Sequence, residues 1–93
     1  MPTPLTPQQR EALAATCPRW TMDEDQMRRT FEFADFREAM AFVTSVALAA
    51  EKADHHPDID IRWNEVTLVL STHSEGTLTD LDAALARAAD AAS

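Results

Sequence analysis

The side chains best suited to chemistry in this sequence are its three histidines, His55, His56 and His73, together with the carboxylate of Asp82. Imidazole, with an unperturbed pKa of roughly 6.5, both accepts and donates a proton near neutral pH. His55 and His56 are adjacent and precede Pro57, whose ring disfavours helical angles at His56. A helix arriving through Glu51-Lys52-Ala53-Asp54 therefore ends at or just before the pair, and the two imidazoles leave in different directions. His73 closes the next strong strand pattern, and Asp82 follows nine residues later in the first turn of an expected helix. A hairpin between these segments would gather all four groups at one end of a sheet, an arrangement suited to proton transfer.

Each group also has a purely structural use. A histidine at a helix end interacts favourably with the exposed carbonyls, and His73 can simply terminate a strand. Thr79-Asp80-Leu81-Asp82 resembles a capping box, with Asp where Glu or Gln is usual. Zinc is the competing use of three histidines and a carboxylate. Adjacent histidines split by Pro57 seldom point at one ion, and neither HExxH nor paired-cysteine spacing occurs, so no metal is expected. Cys17 has no base near it in sequence and is expected to pack as a small hydrophobe, which leaves nucleophilic catalysis without a candidate. Gly76 is the only glycine, so Gly-rich phosphate-cradling loops are excluded.

The elements that must position these residues follow from capping and periodicity. Thr6-Pro7-Gln8-Gln9 starts a short helix that stops before Pro18. Trp20 to Met22 and Met27 to Phe33 form a first hairpin around Asp23-Glu24-Asp25. Asp35-Phe36-Arg37-Glu38 has the capping-box spacing and opens the central helix, whose apolar residues Phe36, Met40, Val43, Ala47 and Ala50 recur at helical intervals. Ile59, Ile61 and Trp63, then Val66, Leu68 and Leu70, alternate with polar neighbours in a second hairpin turning at Asn64-Glu65. Leu78, Leu81, Leu85 and Ala88 mark a closing helix. The order helix, two strands, helix, two strands, helix predicts an α+β fold: a two-layer, four-stranded antiparallel sheet with helices packed on one face. Residues 1–93 form one domain, with no room for a second core.

Composition narrows the partners. A formal charge of −8 opposes direct contact with nucleic acid or an anionic membrane, since clustered Lys and Arg are lacking. The apolar stretch from Phe36 to Ala53 is interrupted by charges and falls short of the roughly 20 residues that span a bilayer. One cysteine cannot form an internal disulfide, and no charged-then-apolar leader opens the sequence, so a reducing cytoplasm is the expected compartment.

Taken together, Trp20, Phe31-Glu32-Phe33-Ala34-Asp35-Phe36, Ala50-Glu51, His55-His56-Pro57, Trp63-Asn64-Glu65-Val66, Leu70-Ser71-Thr72-His73 and Leu78-Thr79 leading to Asp82 resemble the pterin-4a-carbinolamine dehydratases over almost the whole chain. The resemblance implies the family's two-layer fold. It also implies dehydration of a 4a-hydroxytetrahydropterin to the quinonoid dihydropterin, recycling the cofactor of aromatic amino-acid hydroxylases, with no metal or redox cofactor. His55, His56 and His73 match the family's active-site histidines and Asp82 its aspartate; Glu51 and Pro57 match the motif, and Trp20 an aromatic near the pterin. On this basis His55 and His73 carry the proton transfers, while His56 and Asp82 hold the pterin and orient an imidazole; which histidine is acid and which base stays open. Two local departures occur. Gly76-Thr77-Leu78 puts the glycine one place earlier than is usual, and Ile59 stands where an aromatic commonly follows the His-His-Pro motif. Animal members also act as dimerisation cofactors of a homeodomain transcription factor, so a binding or regulatory role with little or no catalysis is the alternative. An idle member with an altered Gly76 loop is a third.

The central helix carries a second apolar stripe, Phe42, Val46 and Ala49. A monomer would leave it in water, which predicts a homodimer or homotetramer with Phe42 at the interface. Members of the resembling family are dimers or tetramers, and each active site is expected to form mainly within one subunit.

Overall fold

Thr6 and Gln9 close a reciprocal capping box: Thr6 Oγ1 accepts from the Gln9 amide at 3.1 Å and Gln9 Oε1 from the Thr6 amide at 2.9 Å. With Pro7 preset for the first helical position, this starts α1 (Pro7–Thr16). The computed structural model describes residues 2–93. β1 (Thr21–Met22) and β2 (Met27–Glu32) form the first hairpin, α2 (Phe36–Ala53) crosses the sheet, β3 (Asp58–Arg62) and β4 (Glu65–Leu70) form the second, and α3 (Asp80–Ala92) closes the chain. The four strands are antiparallel, as the element order predicted, and the two hairpins join through β2 and β4 to give the order β1-β2-β4-β3. No helix among the described residues is long and apolar enough to cross a membrane.

Alternation decides the core face. Met27 and Phe31 of β2 and Val66, Leu68 and Leu70 of β4 are buried beneath the helices, while Arg28, Thr30 and Glu65 point away. Leu13 and Cys17 from α1 and its cap, and Leu85, Ala86 and Ala89 from α3, complete the interior.

Two expectations are corrected. The first concerns which stripe of α2 meets the sheet. Ala39, Phe42, Val46 and Ala50 are buried, whereas Phe36 is 51% exposed and Ala47 faces solvent. Phe42 is thus a core residue of the single chain and is not at a subunit interface. Its ring lies 4.6 Å from that of Phe31 and 5.0 Å from that of Phe33. In an alanine-rich helix both stripes are apolar enough to be buried, so periodicity does not choose between them; the stripe with a ring that reaches Phe31 and Phe33 goes in. Glu38 also departs from a closed capping box, because its carboxylate accepts from the amide of Ala34 and leaves only Asp35 bonding back to the Glu38 amide.

The second correction is the turn of the β3–β4 hairpin. Arg62 pairs with Glu65, so Trp63 and Asn64 are the two turn residues and Trp63 does not extend the strand. Trp63 takes a left-handed φ of 52°, unusual for a bulky residue. Asn64 makes the turn affordable: its Nδ2 donates to Phe33 O at 2.8 Å while its own carbonyl accepts from the Phe33 amide, locking the turn to the end of β2.

Candidate active site

The His-His-Pro segment is shaped by the way α2 ends. Asp54 adopts the left-handed conformation (φ 51°, ψ 45°), its amide reaches back to Ala50 and Glu51, and the His55 amide donates to Ala50 O at 3.1 Å. The chain then straightens into β3 under the restraint of Pro57. His55 consequently turns inward, with 10% of its side chain exposed, and His56 turns outward, with 57% exposed. The pairing of Asp58 with Val69 puts the segment before β3 and the segment after β4 at the same end of the sheet, so the His55–Pro57 and Ser71–His73 stretches are neighbours.

Asp82 is the hub of this end. Its side chain has no exposed surface. One carboxylate oxygen, Oδ1, lies 2.6 Å from His55 Nε2, and the other accepts from Thr72 Oγ1 at 2.8 Å and from the Thr79 amide at 2.9 Å. The last bond belongs to the capping box of α3, so the side chain that holds His55 also caps the helix. Thr72 and Thr79 hydroxyls are 2.7 Å apart. Because a carboxylate only accepts, Thr72 donates to Asp82 and receives its second bond from Thr79, a chain polarised toward the carboxylate. With Asp82 ionised, the shared proton sits on His55 Nε2, and Nδ1 is the nitrogen left to exchange a proton.

The remaining candidates lie around this hub in different ways. His56 Nε2 is 2.6 Å from Glu51 Oε1, one turn back along α2, and both are exposed. His73 is exposed just beyond β4, with Nε2 3.3 Å from Ser71 Oγ. It lines a cleft of about 130 Å³ with Asp25, Gln26, Ser71, Thr72 and Gly76. Gly76 takes φ 65°, so the glycine one place early still serves a left-handed turn. Trp20 is not brought to the His55–Asp82 pair. It packs edge-on against Phe31 and donates to Asp90 Oδ1 at 2.7 Å, eight residues along α3 from Asp82, about 12 Å at 1.5 Å per residue.

Sequence reasoning did not assign Thr72, Thr79 or the Asp25-Gln26 turn to the candidate site, where Thr72 and Thr79 bond Asp82 and Asp25 and Gln26 line the His73 cleft. For Thr72 a signal existed: it continues the buried phase of Val66, Leu68 and Leu70, and a polar residue in that phase must find an internal partner. Cys17 stands apart from the site. It is buried, and burial followed by the neighbouring Asp90 carboxylate pushes its thiol above the ordinary range. Among the described residues no three His, Cys, Asp or Glu side chains converge in a metal-holding group.

The family model for pterin 4 alpha carbinolamine dehydratase matches residues 3–92. The chain belongs to this family. A Mycobacteroides abscessus relative carrying the provisional name of pterin-4-alpha-carbinolamine dehydratase is 51% identical over 86 residues, covering 92% of each chain. A similarly named Chloroflexus aurantiacus relative is 55% identical over 73 residues, 78% of each. Among solved structures, a transcriptional coactivator/pterin dehydratase from Brucella melitensis superposes with a TM-score of 0.90 at 35% identity, covering 97% of this chain and 98% of that one. A pterin dehydratase-like protein described as a RuBisCO assembly factor shares the fold alone, at a TM-score of 0.65 and 23% identity over 80% of this chain and 86% of its own. Within the dehydratase family fold, the motifs that carry the sequence resemblance meet at one end of the sheet: His55 and His56 after α2, His73 after β4, and Asp82 at the start of α3.

Proposed function

We propose that this chain is a hydro-lyase that converts a 4a-hydroxytetrahydropterin to the quinonoid dihydropterin and water, in tetrahydropterin recycling. The observation that carries this reading is the buried bond between His55 and Asp82, which fixes one imidazole and is joined through Thr72 to the cleft that another, His73, lines. Dehydration breaks the C4a–O bond. An imidazolium gives its proton to the departing hydroxyl, which leaves as water, and a neutral imidazole takes the proton from the ring nitrogen next to C4a as the C4a=N bond forms. Atoms and charge balance between two histidines, with no electron transferred. His55 and His73 are the catalytic pair. Asp82, closed off from solvent, orients His55, and His56, steadied by Glu51, contacts the pterin at the rim beside Pro57. Purified protein should speed the disappearance of the 4a-hydroxytetrahydropterin absorbance, equally with and without a chelator. No acceleration, or activity that a chelator abolishes and zinc restores, would overturn the reading. The first outcome would favour the alternative, a binding or regulatory role, which the combined coactivator and dehydratase name of the Brucella melitensis relative keeps in view.

The same reading includes a homo-oligomer in the cytoplasm, where the unpaired Cys17 stays reduced. The surface to be covered is β3, an exposed edge strand flanked by Trp63, which is 67% exposed, with Ile59 and Ile61 each 37% exposed. An unpaired edge bearing apolar side chains is a template for another strand. Antiparallel pairing with a second copy about Ile61 sets Asp60 opposite Arg62 of that copy in both directions. Opposite charges then meet twice across one symmetric contact.

A further inference from the structure

The His73 cleft has two walls that are distant in sequence. One is the β1–β2 turn, which contributes Asp25 and Gln26, and the other is the loop after β4, which contributes Ser71 to His73 and Gly76. Neither wall is a strand, and His73 itself stands on the second. Behind them lies Arg10, a half-buried residue of α1. Its Nη1 donates to Asp23 O at 3.2 Å, and its Nη2 donates both to Glu24 O and to Thr77 Oγ1, the latter at 2.9 Å. Thr77 Oγ1 in turn donates to Glu24 O at 3.3 Å. The guanidinium thus reaches across the join between the two walls. Its partners are two carbonyls and a hydroxyl, none of them a carboxylate, so this is not a surface ion pair.

We propose that Arg10 is a positioning residue of the site: its planar fork fixes the separation of the two loops and thereby the place of His73 relative to the His55–Asp82 pair. The segment that carries it is itself fastened to the second wall's exit. The Leu5 amide donates to Leu78 O at 3.0 Å, and Thr3 and Asp80 exchange bonds through the Thr3 amide to Asp80 Oδ1 at 2.9 Å and the Asp80 amide to Thr3 O at 3.0 Å. A lysine would offer a single ammonium on a flexible stem and could not hold three acceptors in one plane. Thr72 ties the consequence to the centre. It lines the cleft, pairs with Thr77 across a two-residue bridge, and donates to Asp82.

This inference rests on the dehydratase reading for its kinetic consequence but not for its structural one, and the experiment separates the two. Arg10→Gln, Arg10→Lys and Thr77→Val are compared with wild type by imidazole resonances in NMR and by turnover of 4a-hydroxytetrahydropterin. In both Arg10 variants the His73 ring signals should shift or broaden more than those of His55, and kcat/KM should fall about ten- to a hundredfold, as small misplacements of a reacting group do. Thr77→Val, which removes one bond of the set, should give a smaller change in the same direction and serves as the deciding variant where Arg10→Gln does not fold. Unchanged His73 signals in the folded variants would overturn the proposal, as would full restoration by Arg10→Lys, since charge alone would then suffice. An inactive wild type would count against the dehydratase reading and leave the NMR comparison to decide the role of Arg10.

Discussion

His55 Nε2 and Asp82 Oδ1 lie 2.6 Å apart although 27 residues separate them, and the carboxylate side of the pair has no contact with solvent. A buried carboxylate needs its donors, and Asp82 has three: His55, Thr72 and the Thr79 amide. His55 therefore bears on stability through that bond, whereas His73, on the exposed loop, has no such tie.

That difference separates the two alanine variants. Loss of one positioned general acid or base lowers a rate by roughly 10²- to 10⁴-fold, about 3 to 5.5 kcal/mol of barrier. His55→Ala and His73→Ala should both show this in kcat. In denaturant titrations His55→Ala should also lose about 1 to 3 kcal/mol, because Asp82 is left short of a donor, while His73→Ala should stay within about 0.5 kcal/mol of wild type. Full activity in both folded variants would remove the histidines from the mechanism.

Asp82→Asn tests the double use of one side chain. The amide still caps α3 but presents no full charge to His55 or Thr72, and bonds to a charged group are worth about 1.5 to 3 kcal/mol each. We expect a lower melting temperature together with a fall in kcat. A lowered melting temperature with an unchanged rate would make Asp82 a cap and nothing more.

Assembly is tested at two positions with opposite outcomes. Ile61→Lys places a charge on the exposed edge strand, a device that blocks strand pairing, and should move the species seen in light scattering to monomer with the fold retained. Phe42→Asp should instead unfold the protein, since Phe42 is 3% exposed and packed between Phe31 and Phe33. A wild type that is monomeric at micromolar concentration would refute the β3 contact.

Cys17 gives a pH dependence of known sign. Its folded-state pKa is raised, mainly by burial and then by Asp90, so the folded state holds the thiol proton more tightly than the unfolded chain. The resulting stabilisation is complete below the ordinary thiol value of 9.0 and is lost as pH rises toward the folded value. Urea midpoints should therefore decline above that pH in wild type and decline less in Cys17→Ala, and a thiol reagent at neutral pH should label Cys17 only after unfolding. Rapid labelling of the native protein would contradict the burial.

The sequence by itself determined what is local. The Thr6–Gln9 and Thr79–Asp82 capping boxes, the end of α2 ahead of Pro57, the alternation of β2 and β4 and the order of elements all depend on neighbours a few residues apart, and each stands in the structure. The convergence of His55, His73 and Asp82 at one end of the sheet was legible too, because two hairpins and a helix cap leave few ways to arrange them. What only the tertiary structure decided depends on partners far away in the chain. The core stripe of α2 was chosen by Phe31 and Phe33, and Trp20 was held in the interior by Asp90, 70 residues on. The hydroxyl of Thr72 was claimed by Asp82, and Arg10 met Thr77 across 67 residues. Periodicity reports that a face is apolar or that a side chain can bond; which of several equally suited partners it meets is settled by simultaneous packing of the whole sheet and its helices, and no local pattern encodes that choice.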